Sequence, residues 1–367
     1  MVAYLASDLR ETHPVGQLMS RCFERHSRRH FEVRCLDTSG GRTELSARVR
    51  AGCDRVHAIG STAAATDEIF SDIDLLIDLN GHTEGSRTDL LASSRAPVKS
   101  LAIAYPASLG GHHLVDYLIG DAISLLGDAT STWPQRSTAP PPSLYPERLV
   151  LLPRFFLAAD HHVTFPLRAT GPQGPHAFSM PPPPRHAPCA LSSFSQMYKL
   201  RPSTLETWLS VVRRLPAHCS ILLLRFQPAS VPKLRDEAAA LGLASTRVRW
   251  LSMRPRAEHI ARAGSSSLLS LDTPGYNQGT SGLDALWAGL PLVTLPLRAW
   301  CERMGASLVR SYALPSGEVH SLRAMSDVAL ALASEERQTT RTSSRRATRD
   351  RWRVGATRVP IGIEVGA

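Results

Sequence analysis

Short apolar runs alternating with helical patterns place this sequence in the α/β class, built on parallel sheets. Three observations carry that reading. Strand-like runs occur at Val2–Ala6, Phe31–Leu36, Leu75–Leu79 and Val98–Ala104, and again at Ser220–Phe226, Val248–Ser252, Leu268–Leu271 and Leu292–Leu295. Helix-period stretches such as Val15–Glu24, Thr204–Arg214 and Leu283–Ala288 lie between them. The third is a proline-rich break from Ser131 to Pro188, including Pro140–Pro142 and Pro181–Pro184, where a packed element is not expected apart from Tyr145–Phe156. Two α/β halves on either side of such a break predict two facing nucleotide-fold domains with a cleft between them. The expected division is 1–130, a connection 131–188, a second half 189–320, and a mobile tail 321–367.

Individual elements have local reasons. Ser203 follows Pro202 and precedes Glu206 by three residues, the spacing of a capping box at a helix start. Asp72-Ile73-Asp74 has the form of a metal-binding Asp-x-Asp, yet it runs into Leu75-Leu76-Ile77. The carboxylates are therefore read as flanking a buried strand, and no metal is expected.

Composition narrows the function classes. The chain has 367 residues, 43% hydrophobic, enough for two cores and against wholesale disorder. Its formal charge of +10 invites a nucleic-acid reading, but seven arginines and only Asp350 lie between Arg337 and Arg353. That stretch reads as a solvated tail rather than a polyanion-binding surface, so no nucleic-acid partner is expected. The cysteines, Cys22, Cys35, Cys53, Cys189, Cys219 and Cys301, have no metal-knuckle or redox-pair spacing. They are expected to be free thiols in a reducing compartment. The start of the chain lacks a signal pattern and no run reaches membrane-spanning length, so a soluble intracellular protein without membrane partners is expected. No 34-residue helical repeat is present.

Two segments suit a phosphorylated ligand. Asn277-Gln278-Gly279-Thr280-Ser281-Gly282-Leu283-Asp284 follows a strand and opens a helix. First-turn N–H groups with the Thr280 and Ser281 hydroxyls can hold a diphosphate, and Asp284 can accept from a ribose. A plain strand-to-helix turn with hydroxyl caps accounts for the same residues equally well. Gln196-Met197-Tyr198-Lys199 precedes the helix near Ser203, and a lysine there can offset charge on a leaving diphosphate. A lone surface lysine is more often just solvated. Among the 14 histidines, His13-Pro14 sits between the first strand and first helix, where parallel sheets bind ligands, and His259 has the equivalent place in the second half. His13 is a candidate general base, or a helix-entry histidine packed on its neighbours.

The segments in order resemble glycosyltransferase family 41, the intracellular protein O-linked N-acetylglucosamine transferases. The resemblance runs over residues 2–312. It is carried by Ser7-Asp8 with His13-Pro14 and Leu18-Met19, by Asp78-Leu79-Asn80-Gly81-His82-Thr83 with Gly85 and Arg87, and by Ala96-Pro97-Val98 with Tyr105-Pro106. Asp116-Tyr117 with Asp121 continues it, then Tyr198-Lys199, Pro202-Ser203-Thr204-Leu205, Trp208 and Leu223-Leu224-Arg225-Phe226. The strongest block is Leu271-Asp272-Thr273-Pro274 through Leu283-Asp284-Ala285-Leu286-Trp287-Ala288-Gly289-Leu290-Pro291.

The resemblance implies a GT-B fold that uses UDP-N-acetylglucosamine without a metal, transferring the sugar with inversion to Ser or Thr of nuclear and cytosolic acceptor proteins. By matching position, Gln196 and Lys199 hold the diphosphate, with Lys199 stabilising the leaving UDP. Arg254 and Arg256 fall where the uracil is read, and His259 and Arg262 match nucleotide contacts. Thr280, Ser281 and Asp284 match the phosphate and ribose turn, and His13 matches the proposed base. Gly279-Thr280-Ser281 replaces the usual His-Thr-Thr, and Gln17 replaces a second histidine. The helical repeats that recruit acceptors are absent from this sequence, so a separate repeat-bearing chain is a conceivable partner. Two alternatives stay open: a SPINDLY-type GDP-fucose protein O-fucosyltransferase, whose phosphate turn also has Gly before Thr, and a catalytically silent domain that binds UDP or a partner.

Overall fold

A computed structural model describes residues 1–40, 44–60, 67–127, 144–165, 189–312 and 317–338. Those up to Ala159 form one compact unit and those from Asp160 onward a second.

The first unit is a parallel sheet of β1 (Val2–Ala6), β2 (Val33–Asp37), β3 (Arg55–Ala58), β4 (Leu75–Asp78), β5 (Val98–Ala102), β6 (Tyr117–Asp121) and β7 (Arg148–Leu152), in spatial order β3-β2-β1-β4-β5-β6-β7. Val2 lies opposite both Val33 and Leu75, so β1 is central and every residue of it is buried. A strand covered on both faces reads as an unbroken apolar run, which is why the sequence located it. Helix Pro14–Arg25 makes the first crossover, with Pro14 at its opening turn and Val15, Leu18, Met19 and Phe23 buried. Asp72 and Asp74 flank β4 as expected: Asp72 forms a two-pronged pair with Arg34 (2.9 and 3.0 Å), and Asp74 pairs with the Met1 amino group.

The second unit repeats the plan with β8 (Ala190–Ser193), β9 (Ser220–Leu224), β10 (Val248–Leu251), β11 (Leu269–Leu271) and β12 (Leu292–Val293), ordered β10-β9-β8-β11-β12 and again parallel. Helix Pro202–Arg214 buries Leu205, Trp208, Leu209, Val211 and Val212 on this sheet. It starts on Pro202, with Arg201 as cap and no side-chain capping bond, so Ser203 lies within the first turn and the expected capping box does not form.

Four expectations need correction. The segment 131–188 is not only a connection, because β7 completes the first sheet and His161–Thr164 is a helix of the second unit. The expected tail from 321 begins as helix Leu322–Gln338, whose Met325, Ala329 and Ala333 are fully buried at i, i+4 and i+8 in the second core. Residues 339–367, with most of the arginine run, lie outside the described residues. The cysteines are not all free: Cys35–Cys53 and Cys189–Cys219 are disulfides, 18 and 30 residues apart in sequence, while Cys22 and Cys301 are thiols. Neighbouring parallel strands bring each pair together, a proximity that spacing along the chain does not reveal. The free-thiol argument for a reducing compartment therefore falls. Among the described residues, no helix is long and apolar enough to cross a membrane.

The buried stripe of the last helix gives a direct test. Met325→Ala should lower the stability of the second unit by about 2–5 kcal/mol, the range for emptying a packed methionine site. Urea unfolding followed by tryptophan fluorescence would measure it, and an unchanged midpoint would mean that the helix does not belong to the core.

Candidate functional site

In a doubly wound sheet, ligands bind beyond the carboxyl ends of the strands where the winding reverses. In the second unit that point lies between β8 and β11, so the loops of interest are 194–201 and 272–279.

Asp272, one residue past β11, organises the second loop. Its Oδ1 accepts from the backbone N–H of Thr273 (2.8 Å) and Gln278 (2.6 Å), and its Oδ2 accepts from the Thr294 hydroxyl (2.7 Å). Burial pushes this carboxyl up to about 6, against the pull of those donors and of Lys199. Gly305 makes the arrangement possible, since a Cβ there would lie 2.2 Å from Asp272 Oδ2 and 2.1 Å from Thr294 Oγ1. The side chains of the loop reinforce it. Asn277 Oδ1 accepts from Gly305 N–H (3.0 Å), the Thr273 hydroxyl donates to Tyr276 O (2.6 Å), and Ser195 meets Thr273 across the switch point (3.1 Å).

Lys199 ends the short turn Met197–Lys199 after β8 and reaches this loop. Its Nζ donates to Asn277 O (3.3 Å) and lies 3.8 Å from the centroid of the Tyr276 ring. The aromatic face supplies part of the solvation that a buried ammonium loses. Burial nonetheless brings Lys199 down to about 8, partly offset by Asp272. Three residues after Asn277, helix Thr280–Trp287 opens with Thr280 and Ser281, both half-buried. A lysine charge and a helix N-terminus thus meet at one loop, and both attract an anion.

A second cluster is buried against that helix. Asp284 accepts from Arg256 through both Nε (3.0 Å) and Nη2 (2.7 Å) and is bonded to His161 Nε2 (2.7 Å). Burial pushes the Asp284 carboxyl up, but the Arg256 charge and the His161 bond outweigh it and hold it well below the usual carboxylate range. Burial lowers His161, more than Asp284 raises it, so the ring is neutral near pH 7 and donates from Nε2. The Phe165 carbonyl, accepting from Trp287 Nε1 (2.9 Å), ties the same segment down.

The family model described as glycosyl transferase family 41 matches residues 1–170 and 184–354. The chain belongs to that family. An Arabidopsis thaliana protein named a probable UDP-N-acetylglucosamine–peptide N-acetylglucosaminyltransferase, SEC, is 30% identical over 340 residues, 90% of this chain and 33% of that protein. A rice relative (Oryza sativa subsp. japonica) with the same probable activity in its name, SPINDLY, is 27% identical over 267 residues, 72% of this chain and 26% of its own length. The chain thus spans about a third or less of the curated relatives it matches. A mutant O-GlcNAc transferase from Thermobaculum terrenum superposes with a TM-score of 0.80 at 27% identity, covering 97% of this chain and 64% of that one. Anabaena HepE in complex with UDP and glucose matches in fold alone, with a TM-score of 0.55 at 11% identity, over 98% of this chain and 95% of its own. The two parallel doubly wound units are those of a GT-B glycosyltransferase.

In this family 41 chain the expected site residues fall into three groups. Lys199, Thr280 and Ser281 belong to the switch-point loops of the second unit, as does Gln196, whose Oε1 accepts from Gln227 (2.9 Å). Arg256, His259 and Arg262 share helix Arg256–Ser266. There His259 is buried edge-on to Phe194 (4.6 Å between centroids) and Arg262 donates to Ser252 O (2.9 Å). Arg254 is exposed and pairs with Glu258 (3.4 Å), and Asp284 is engaged by Arg256 and His161 rather than presenting a free carboxylate.

His13 lies in the first unit as the cap of helix Pro14–Arg25, and its Nδ1 accepts from Val15 N–H (3.3 Å). The neutral ring then carries its proton on Nε2, 4.0 Å from Asp8 Oδ2, and burial lowers its pKa. For His13 to take a proton, the ring must release Val15. Sequence reasoning missed His161, which lies in the proline-rich segment with no local signal. Asp272 carries a readable signal, an acid just past an apolar strand and before a glycine-bearing loop, but its role as the loop's organiser is visible only in the fold.

The buried pair is testable by stability. Arg256→Met should cost the second unit about 3–5 kcal/mol, because Asp284 is left charged and buried. Adding Asp284→Asn should recover part of that, so the double variant loses less than the two single losses together. The Asp284 pKa is depressed in the fold, so its stabilisation is present above the unfolded value of about 4 and is lost as pH falls below it. The stability gap between the parent and Asp284→Asn should shrink over that range. Additive losses at pH 7 would mean the pair is not coupled.

Proposed function

We propose that this chain transfers N-acetylglucosamine from UDP-N-acetylglucosamine to Ser or Thr hydroxyls of proteins. The observation that carries the reading is Lys199, half-buried at the switch point and bonded to Asn277 just ahead of helix Thr280–Trp287. A leaving diphosphate develops negative charge, and a fixed ammonium beside helix N–H groups stabilises it without reorganisation. The name of the Arabidopsis relative supports a UDP-N-acetylglucosamine donor and a peptide acceptor, and that of the Thermobaculum relative supports O-linked transfer of the same sugar.

In the proposed reaction the acceptor oxygen attacks the anomeric carbon from the face opposite the diphosphate. The bond from that carbon to the β-phosphate oxygen breaks, UDP leaves with the electron pair, and the hydroxyl proton passes to a base. His13 fills that role only by giving up its cap on Val15, and the nearby Asp8 then faces the imidazolium. Lys199 and the N–H groups opening helix Thr280–Trp287 supply positive charge from the protein itself.

Lys199→Ala should lower kcat about 100- to 1000-fold, as for loss of one preorganised electrostatic contact, with the circular dichroism spectrum unchanged. Because burial brings Lys199 to about 8, kcat/KM should fall as pH rises through that value in the parent and lose that limb in the variant. Activity within about threefold of the parent would remove Lys199 from the chemistry.

A second reading, GDP-fucose transfer, draws on Gly279 preceding Thr280, the feature by which this turn resembles the SPINDLY-type phosphate turn. The two ligands share the diphosphate, so the base decides between them, through contacts that differ by about 1–3 kcal/mol. Calorimetric titration should give tighter binding of UDP than of GDP, by about tenfold or more. Tighter GDP binding would favour fucose, and binding of neither would leave the silent domain.

A further inference from the structure

The candidate site uses the carboxyl ends of β8 to β12, and the opposite end of the same sheet carries a second concentration of chemistry. Cys189 immediately precedes β8 and Cys219 immediately precedes β9. Ala190 lies opposite Ser220 in the parallel register, so the two cysteines stand level at the starts of neighbouring strands, and they are joined as a disulfide. His218 is next to Cys219 and exposed, whereas both cysteines are buried. The two sulfurs and one imidazole nitrogen all lie within 4.8 Å of one another.

That is the donor set and the scale of a zinc site. Zinc holds sulfur at about 2.3 Å and imidazole nitrogen at about 2.0 Å, so a tetrahedral ion sets such ligands about 3.5–3.8 Å apart. Two thiolates and an imidazole select zinc or a similarly soft divalent ion over calcium or magnesium, which take oxygen ligands. The turn that presents His218 and Cys219 is already held in place. Cys219 N–H donates to Pro216 O (2.8 Å), and Arg247 donates to the carbonyls of Cys219 (2.8 Å), Leu215 (3.1 Å) and Pro216 (3.0 Å). His218 is exposed while both sulfurs are buried, so an ion held by the three would lie just beneath the surface with its fourth position turned to the imidazole side.

We propose that Cys189, His218 and Cys219 form a redox-gated zinc site. In the oxidised state the disulfide ties β8 to β9 and no metal binds. A dithiol or phosphine reductant delivers two electrons, and two protons are taken up as the sulfur–sulfur bond opens to two thiols, the reductant being oxidised in turn. Zinc then takes both sulfurs and the His218 nitrogen, and the two thiol protons pass to solvent. One staple replaces the other at the start of β8, the strand that leads to Gln196 and Lys199. This inference is independent of the transferase reading, since it concerns the far end of the sheet and is read without any sugar donor.

The test uses the full chain, reduced with a phosphine, desalted without oxygen and titrated with cobalt(II) as a spectroscopic substitute for zinc. Thiolate-to-cobalt charge-transfer absorption should saturate at one ion per chain, disappear on adding zinc, and be absent from unreduced protein. A Cys35→Ser, Cys53→Ser background should keep it, and Cys219→Ser should abolish it. His218→Ala changes an exposed side chain and spares the core. It should weaken cobalt binding by at least about tenfold, since even the outer hydrogen-bond partners of metal ligands are worth about 10–100-fold in affinity. No charge-transfer band in reduced, folded protein overturns the proposal. So does a band that survives Cys219→Ser, or one whose affinity His218→Ala leaves unchanged.

Discussion

The carboxylate of Asp272 is the constraint on which the second unit's switch-point loop rests. A charge with no solvent access is tolerated only when donors replace the water it has lost, and two backbone N–H groups and one hydroxyl do so here. Meeting that demand dictates the path of residues 272–278. Thr273 and Gln278 must turn their N–H groups inward, which leaves the Asn277 carbonyl for Lys199 and starts the next helix at Thr280. Packing enforces the same path. Thr294 comes from beyond β12, and Gly305 lets its helix approach without a side chain. Lys199 adds a compensating charge, so the acid that shapes the loop and the ammonium that serves it stabilise one another.

The first unit solves the same problem with the same residue type. Asp78, at the end of β4, is also raised to about 6 by burial and accepts from the N–H groups of Asn80 (3.1 Å) and Gly81 (2.7 Å). β4 neighbours β1 as β11 neighbours β8, so both acids stand at the reversal point of their sheets. Asn80 then crosses to the loop after β1, accepting from Ser7 N–H (2.8 Å), much as Thr273 meets Ser195. Gly81 adopts φ +57°, and a Cβ there would lie 2.3 Å from the Tyr105 side chain. What differs is the residue each loop presents: His13 capping a helix in one unit, Lys199 against an aromatic face in the other.

The His161–Asp284–Arg256 cluster shows why a residue's identity does not settle its role. Asp284 stands one turn into a helix whose N-terminus suits a phosphate, a position from which a carboxylate can reach a ribose. In the fold it is instead the shared anion of a half-buried arginine and a buried neutral histidine, and it anchors the segment carrying His161 and Phe165 to helix Thr280–Trp287. A role toward a nucleotide must then pass through that network, by exchange of partners.

By itself the sequence determined what depends on neighbours along the chain. Buried parallel strands are apolar on both faces, so β1, β4, β9 and β11 are legible as runs. Proline and hydroxyl residues mark the starts of the helices at Pro14, Pro202 and Thr280. The edge strands of the first sheet lack that signature: β3 and β7 are largely exposed, and the sequence marks β3 not at all and β7 only as part of an ordered stretch. Tertiary structure decided everything that depends on a partner far along the chain. His161 and Asp284 are 123 residues apart, Lys199 and Asn277 78 apart, and the paired cysteines 18 and 30 apart. The free energy of a buried charge or thiol is set by the groups around it, and only the winding of the two sheets determines which groups those are.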